Sequence, residues 1–149
     1  MELTDLHKEI VIECANDDVD LWSILWRING GGYSVNVPLA KGVREKAIEI
    51  IRDLLESGLI EGGFPQLPEH IEKRLRELQA QKPRQNNEIF ELIRDNPPTW
   101  EPLNYSVSDT IEYIQCEWDS LDQDPNIGDI VWFRATHDGE QLAQTLSEQ

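Results

Sequence analysis

The turn that follows residue 120 holds the side chains whose spacing comes nearest to a metal site. Asp122, Asp124 and Asn126 alternate along it, and calcium-binding loops space their first oxygen ligands in this way. Such loops also need Gly at the sixth position and Glu at the twelfth, where this chain has Ile127 and Phe133. The pattern therefore predicts a capped, solvated turn. The acids that could at most hold a cation weakly are Asp119, Asp122 and Asp124.

No other motif supports catalysis or metal binding. The three histidines lack the spacing of a zinc site, so we expect them on the surface. Gly30–Gly32 follows a helical pattern rather than a strand, which argues against a phosphate-binding loop. Glu112 and Glu117 could mimic a pair of catalytic acids, but an exposed helix face explains them more simply. We therefore predict a protein that is not an enzyme and has neither cofactor nor metal. The histidines are His7, His70 and His137.

Cysteine use and apolar patterning predict a soluble cytoplasmic domain that does not enter a membrane. Cys14 and Cys116 lie far apart and form no CxxC pair, so both are expected to be reduced and buried. The apolar runs are far shorter than the roughly 20 residues needed to span a bilayer. The N-terminus is acidic and lacks the basic and apolar regions of a secretory signal. Because 149 residues suit one domain, we expect a single domain over 1–149.

Acidic residues dominate the charge of the chain and are unevenly distributed. The net charge is -16, and residues 97–149 hold 11 Asp and Glu against one basic residue, Arg134. Residues 65–96 carry 6 residues of each sign, whereas residues 1–64 carry 12 acidic and 6 basic residues. Such a surface repels nucleic-acid phosphates at long range and attracts basic proteins. Solubility alone would also explain this composition.

Hydrophobic periodicity predicts a mostly helical domain with short strands. The clearest helix covers 43–57, where apolar residues recur at intervals of three and four, and Gly58 stops it. A short strand is predicted at 59–61, followed by a turn at Gly62 and Gly63. Other predicted elements are helices over 3–15, 19–28, 68–78, 89–93, 106–121 and 141–146, a strand over 129–136, an extended segment over 33–38 and a polar loop over 82–87. The tryptophans predicted to lie in the core are Trp22, Trp26, Trp118 and Trp132.

Two stretches resemble parts of winged helix-turn-helix proteins. Val43–Phe64 contains DLLESGLIE, which is similar to the "LLxxGLIE" where the third helix of that family ends and the first wing strand begins. Val131–Leu142 is similar to the second wing strand and the next helix start, often written "YxLTxxGxxL". In that resemblance Thr136 caps the helix and Gly139 lies in its first turn. The resemblance implies an α+β fold, mostly helical, with a winged-helix-like core and a small antiparallel sheet.

The resemblance also implies a possible DNA-binding helix, on or near Val43–Ser57. A normal wing joins its strands by a few residues, whereas residues 65–128 intervene here as a possible helical elaboration. The helix carries three positive and four negative charges, while a helix that reads the major groove normally needs net positive charge. We therefore do not expect nucleic acid as the partner. A basic patch would have to be assembled from Arg44, Lys46, Arg52, Lys73, Arg74 and Arg76.

The hypothesis that the charge favours is a non-enzymatic interaction or regulatory protein. It would offer an acidic surface, chiefly residues 101–129, to a basic protein, such as a toxin that it neutralises or a nucleic-acid-binding protein whose ligand it mimics. Trp100 lies in an extended, proline-rich stretch, so it either packs over the core or serves as a contact. The alternative is a winged-helix DNA-binding transcriptional regulator, and in either case we expect a monomer or homodimer. The predicted partner contacts are Trp100, Glu112, Glu117, Asp119, Asp122 and Asp124.

Overall fold

The computed structural model describes residues 2–34, 36–80 and 86–148, and over them it shows a mostly helical α+β fold. This confirms the predicted mostly helical α+β class, whereas the winged-helix-like core stays a prediction. The helices of the described residues are α1 (Asp5–Asn16), α2 (Leu21–Ile28), α3 (Val43–Glu56), α4 (Glu69–Ala80), α5 (Asn86–Asp95), α6 (Val107–Ser120) and α7 (His137–Ser147). Their strands form one small antiparallel sheet in the order β1-β4-β2-β3, and they are β1 (Val19–Asp20), β2 (Ile60–Gln66), β3 (Thr99–Pro102) and β4 (Trp132–Ala135).

The chain divides into two compact units. The main unit consists of Met1–Phe64 with Pro102–Gln149, and the middle unit consists of Pro65–Glu101. The main unit contains α1, α2, α3, α6 and α7, whereas the middle unit contains α4 and α5. The sequence suggested a helical elaboration over 65–128, but the separate unit ends at residue 101 and α6 belongs to the main unit.

The predicted helix over 19–28 is wrong at its first two residues. Val19 and Asp20 form β1 and lie opposite Phe133 and Trp132 of β4. Asp20 is extended and caps α2 by accepting a hydrogen bond from the backbone N–H of Ser23 at 3.1 Å. Because a helix cap has non-helical backbone angles, the residues at and before it are available to pair with a strand.

The strand β2 is longer than predicted and passes through the two glycines that were assigned to a turn. Gly62 and Gly63 lie opposite Phe133 and Trp132 in an antiparallel pair with β4. A Cβ atom at Gly62 would come within 3.2 Å of the Leu103 side chain. Glycine at this position therefore serves close packing within a strand rather than a reversal of the chain.

The end of β4 and the start of α7 are joined through Thr136. The strand is shorter than predicted because Ile130 has a φ of 71°, a left-handed conformation that interrupts extended backbone. Thr136 caps α7 by accepting a hydrogen bond from Gly139 N at 3.1 Å, and its own N–H and Oγ1 donate to the carbonyls of Leu59 and Gly58. The predicted cap and the position of Gly139 in the first turn are confirmed.

Of the four tryptophans predicted to lie in the core, one is buried, two are half-buried and one is exposed. Trp118 is buried and Trp22 and Trp132 are half-buried, but Trp26 is 39% exposed, which corrects the prediction. The Trp26 ring instead lies beside the backbone of Gly31, where a Cβ atom would be 3.7 Å from it. The largest fully buried side chains are Ile10, Val11, Leu21, Ile24, Leu25, Ile50, Ile51, Leu54, Ile114, Pro125, Val131 and Phe133.

The middle unit packs α4 against α5. Ile71 and Leu78 of α4 are buried as predicted, whereas Phe90 of α5 is 68% exposed, although the sequence predicted an apolar helix there. The polar loop predicted over 82–87 is corrected at its end, because α5 already begins at Asn86. Residues 82–85 of that loop lie outside the described residues.

Two further features bear on the sequence predictions. The predicted extended segment over 33–38 contains one isolated bridge between Ser34 and Val37, and Val35 lies outside the described residues. None of the helices in the described part of the chain combines the length and apolar character that a membrane crossing requires.

Candidate partner-binding surface

The helix α6 presents three of the predicted partner contacts, Glu112, Glu117 and Asp119, and all three are exposed. Ser106 starts the helix by accepting a hydrogen bond from Asp109 N at 3.1 Å. Its sequence contains no Lys or Arg, so no pair of opposite charges forms along the helix. We call acidic face the exposed acids of α6 and of the turn that follows: Asp109, Glu112, Glu117, Asp119, Asp122 and Asp124. The α6 side chains that turn towards the core are Thr110, Ile111, Ile114 and Trp118.

Two tyrosines add an aromatic edge to the acidic face. The rings of Tyr105 and Tyr113 are 6.1 Å apart and nearly perpendicular, and Tyr105 is 54% exposed. The Tyr113 hydroxyl donates to the Ile130 carbonyl at 3.0 Å, and burial, followed by the charges of Glu117 and Tyr105, raises the pKa of Tyr113. With Asp109, Glu112 and Cys116, the tyrosines line a shallow depression of about 290 Å³.

The two cysteines differ in exposure, so the prediction that both are buried is wrong for one of them. Cys116 is exposed because it lies on the outward side of α6. Cys14 of α1 is buried, and this burial, followed by the charges of Glu13 and Asp18, raises the pKa of its thiol to about 12. Both are free thiols, as predicted.

Arg44 of α3 shows how this surface already holds a cation. Its guanidinium carbon lies 4.8 Å from the ring centroid of Trp118, and its Nη2 is 2.8 Å from Asp119 Oδ1. The Trp118 indole N–H donates in turn to Asp124 Oδ1 at 3.1 Å. A planar cation is therefore stacked on an aromatic ring and paired with a carboxylate at one place, a combination that suits arginine better than lysine.

The predicted turn over 122–129 follows α6, and it is fixed to the core by a residue that the sequence did not single out. Asp20 is 3% exposed and its Oδ2 accepts a hydrogen bond from Gly128 N at 2.7 Å. Its Oδ1 accepts from the N–H and the hydroxyl of Ser23, at 3.1 and 2.5 Å. The positions of Asp122 and Asp124 therefore depend on a buried carboxylate more than 100 residues earlier in the chain.

Among the described residues, no group of three or more histidine, cysteine and acidic side chains could hold a metal ion. Asp119, Asp122 and Asp124 thus do not converge into such a group. Asp119 faces Arg44 instead, and Asp124 faces the indole of Trp118.

His7 is buried, which corrects the prediction of a surface residue, whereas His70 and His137 are exposed as predicted. The Nδ1 atom of His7 accepts a hydrogen bond from Thr4 N at 3.2 Å and lies 2.6 Å from Thr4 Oγ1. The Nε2 atom of His7 lies 3.0 Å from Asp53 Oδ2. The order hydroxyl, imidazole, carboxylate is that of a nucleophilic triad. Here the Thr4 hydroxyl also accepts from His7 N as the cap of α1, so a capping box linked to α3 accounts for the whole set.

A cleft beside the acidic face was not foreseen from the sequence. It has a volume of about 210 Å³ and is lined by Trp22, Tyr33, Ser34, Pro38, Gln123, Asp124, Pro125 and Asn126. The rings of Trp22 and Tyr33 are stacked, with centroids 6.0 Å apart and planes 24° apart. Its residues come from three separate parts of the chain, and nothing in the local sequence pattern joins them.

Trp100, the remaining predicted contact, lies in β3 and is half-buried. It belongs to the middle unit, whereas the five acidic contacts belong to the main unit. Its contact with a partner stays a prediction.

Comparison with known proteins gives no relative from which a function could be carried over. No protein-family model, curated protein or solved structure matches the chain.

Proposed function

We propose that this chain is a non-enzymatic interaction protein whose acidic face binds a basic protein. The observation that carries the proposal is that α6 and the following turn expose six carboxylates without a Lys or Arg among them. Residues 97–149 contain one basic residue, Arg134, and it pairs with Glu61. Exposed charges of one sign accelerate the encounter with an oppositely charged partner and suppress wrong partners.

The rigidity of the acidic face also supports binding. The inward side chains of α6 are buried, and the turn is anchored by Asp20. Because the backbone that carries the acids is already held by these contacts, it loses little conformational freedom when a partner binds. The exposed Tyr105 and the half-buried Tyr113 add aromatic area of the kind that anchors interfaces.

The partner class follows from this charge. A toxin that the chain neutralises, or a nucleic-acid-binding protein whose ligand it mimics, would present a basic surface to these carboxylates. Both relationships need electrostatic complementarity and no catalysis.

The proposal can be tested with a fluorescein-labelled nonaarginine peptide and fluorescence anisotropy. We expect binding that weakens about tenfold between about 50 and about 300 mM NaCl, because salt screens exposed charges. The variant Glu112→Lys/Glu117→Lys should weaken binding about tenfold more than Glu45→Lys/Glu56→Lys, which makes the same change in net charge on the exposed side of α3. Equal losses in the two variants, or no binding at low salt, would overturn the proposal.

The alternative of a winged-helix regulator has weaker support. Arg44 is paired with Asp119, Lys46 lies 3.9 Å from Glu49, and Arg76 is paired with Glu72. Paired cations contribute less to binding phosphates than free ones. Retention of duplex DNA in a gel shift at low salt would favour this alternative over the acidic-face proposal.

A further inference from the structure

One wall of the cleft between Trp22 and Pro125 comes from Tyr33, Ser34 and Pro38, which follow the end of α2. The Asn29 amide donates to the carbonyls of Gly32 and Pro38, at 2.6 and 3.2 Å, and its Oδ1 accepts from Ala40 N at 2.8 Å. One side chain therefore holds Gly32, Pro38 and Ala40 close together. Such contacts limit the freedom that these residues could lose when a ligand binds.

Tyr33 connects this loop to the acidic turn. Its hydroxyl donates to the Pro125 carbonyl at 2.5 Å, and its ring is buried against the ring of Trp22. The stacked rings form one wall, and Pro38 and Pro125 add apolar surface. An apolar, aromatic cleft thus opens directly beside the acidic face.

The electrostatics of the cleft favour a cation. Among the described residues that line it, Asp124 is the one with a charge, and none is Lys or Arg. Burial, followed by the charges of Asp124 and Asp129, raises the pKa of Tyr33 to about 12. Asp124 uses Oδ1 for the Trp118 indole, so its second oxygen remains for another donor.

The size of the cleft limits what it can hold. Its volume of about 210 Å³ is below the roughly 300 to 1,000 Å³ of small-molecule pockets. A single long side chain, with an apolar stem along the prolines and a charged end at the carboxylate, matches both its size and its chemistry.

We propose that this cleft receives an arginine side chain of the basic partner, with the guanidinium against the aromatic wall and Asp124. Arg44, stacked on Trp118 and paired with Asp119, shows the same arrangement within this molecule. Arginine is favoured over lysine because its planar group stacks on rings and donates several hydrogen bonds in fixed directions. The inference rests on the proposed function and names the contact that would give it selectivity.

The test is an NMR titration of the ¹⁵N-labelled protein with acetylated, amidated Gly-Gly-Arg-Gly-Gly or with its lysine counterpart. Binding is monitored through the indole N–H signals of the tryptophans. A Trp22→Phe variant identifies the Trp22 signal. We expect this signal to move, the Trp26 signal to stay, and the arginine peptide to bind at least about threefold tighter than the lysine peptide. Asp124→Asn should weaken the arginine peptide about fivefold while keeping an acceptor for Trp118. Asp122→Asn, with the same charge change two residues away and outside the cleft, should have little effect.

Equal shifts with both peptides, or equal effects of Asp124→Asn and Asp122→Asn, would overturn the arginine site. If the nonaarginine probe still bound the acidic face with the expected salt dependence, the proposed function would survive that result. Absence of binding by nonaarginine would instead refute the proposed function, and the arginine site with it.

Discussion

Asp20→Ala is the substitution that should most affect both the stability of the main unit and the acidic turn. Asp20 is 3% exposed, caps α2, and accepts hydrogen bonds from Ser23 N, Ser23 Oγ and Gly128 N. Alanine would remove both acceptor oxygens, and with them all three hydrogen bonds, and would leave the Gly128 N–H and the Ser23 hydroxyl without this partner. We therefore expect a less stable protein and a looser turn.

The magnitude of this loss combines two contributions. Removing an aspartate cap costs about 1 kcal/mol, and removing a hydrogen bond to a charged group costs about 1.5 to 3 kcal/mol. Relief of the desolvated charge offsets part of this cost. We expect a net decrease of about 3 kcal/mol in the free energy of unfolding.

Urea denaturation followed by tryptophan fluorescence measures this free energy. Ser106→Ala is the matched control, because Ser106 caps the exposed start of α6 with one hydrogen bond, from Asp109 N. Ser106→Ala should lower the free energy of unfolding by about 1 kcal/mol. In Asp20→Ala, hydrogen exchange of the Gly128 amide should also accelerate more than that of the α6 amides. If Asp20→Ala costs no more than Ser106→Ala, the anchoring role of Asp20 is refuted.

Three further predictions concern other parts of the main unit. Because the pKa of Cys14 is raised to about 12, its contribution to stability is present below about pH 9 and is lost as the pH rises towards 12. Denaturation at several pH values should show that this residue lowers the free energy of unfolding by about 1.4 kcal/mol for each pH unit above about pH 9. In Cys14→Ala the free energy of unfolding should fall less steeply with pH, and an unchanged slope would contradict the raised pKa. Gly139→Ala should lower the melting temperature by several degrees, because a Cβ atom there would overlap the Leu59 carbonyl. Gln141→Gly, at an exposed position of the same helix, is the control for helix propensity, and an unchanged melting temperature in Gly139→Ala would contradict this packing. His7→Ala should lower the free energy of unfolding by about 2 kcal/mol, and Asp53→Asn by less, because the buried His7 contacts Asp53. His70→Ala, at an exposed position, is the control, and a loss of stability in this variant alone would contradict the role of the His7–Asp53 contact.

The elements that the sequence predicted well are those specified by neighbouring residues. Thr136 caps α7 within its own turn, and Gly58 ends α3 with a left-handed φ of 70°. Apolar spacing then identifies the buried sides of α3 and α6. Such features can be predicted because each depends on contacts within about four residues.

The features that the sequence did not predict depend on distant contacts. Val19 and Asp20 look helical until β4 provides a strand partner, and Gly62 looks like a turn residue until Leu103 packs on it. The candidate site likewise contains features set by neighbouring residues and features set by distant contacts. The exposed acids of α6 could be predicted from helical periodicity, whereas the link between Tyr33 and Pro125 joins residues 92 apart and has no local signal.

The position of β4 has a consequence for the order in which the molecule can fold. This strand lies between β1 and β2, pairing Val19 with Phe133 and Ile60 with Ala135. Two strands from the first half of the chain therefore lack this partner until late in synthesis, because the residues of β4 follow those they pair with in β2, the nearer strand, by 69 to 75 positions. Closing such distant pairs is slow, and unpaired strand edges attract other chains in the meantime. During synthesis, the helices α1 and α3 can form at once, but the sheet that joins them closes only after residue 135 has been added.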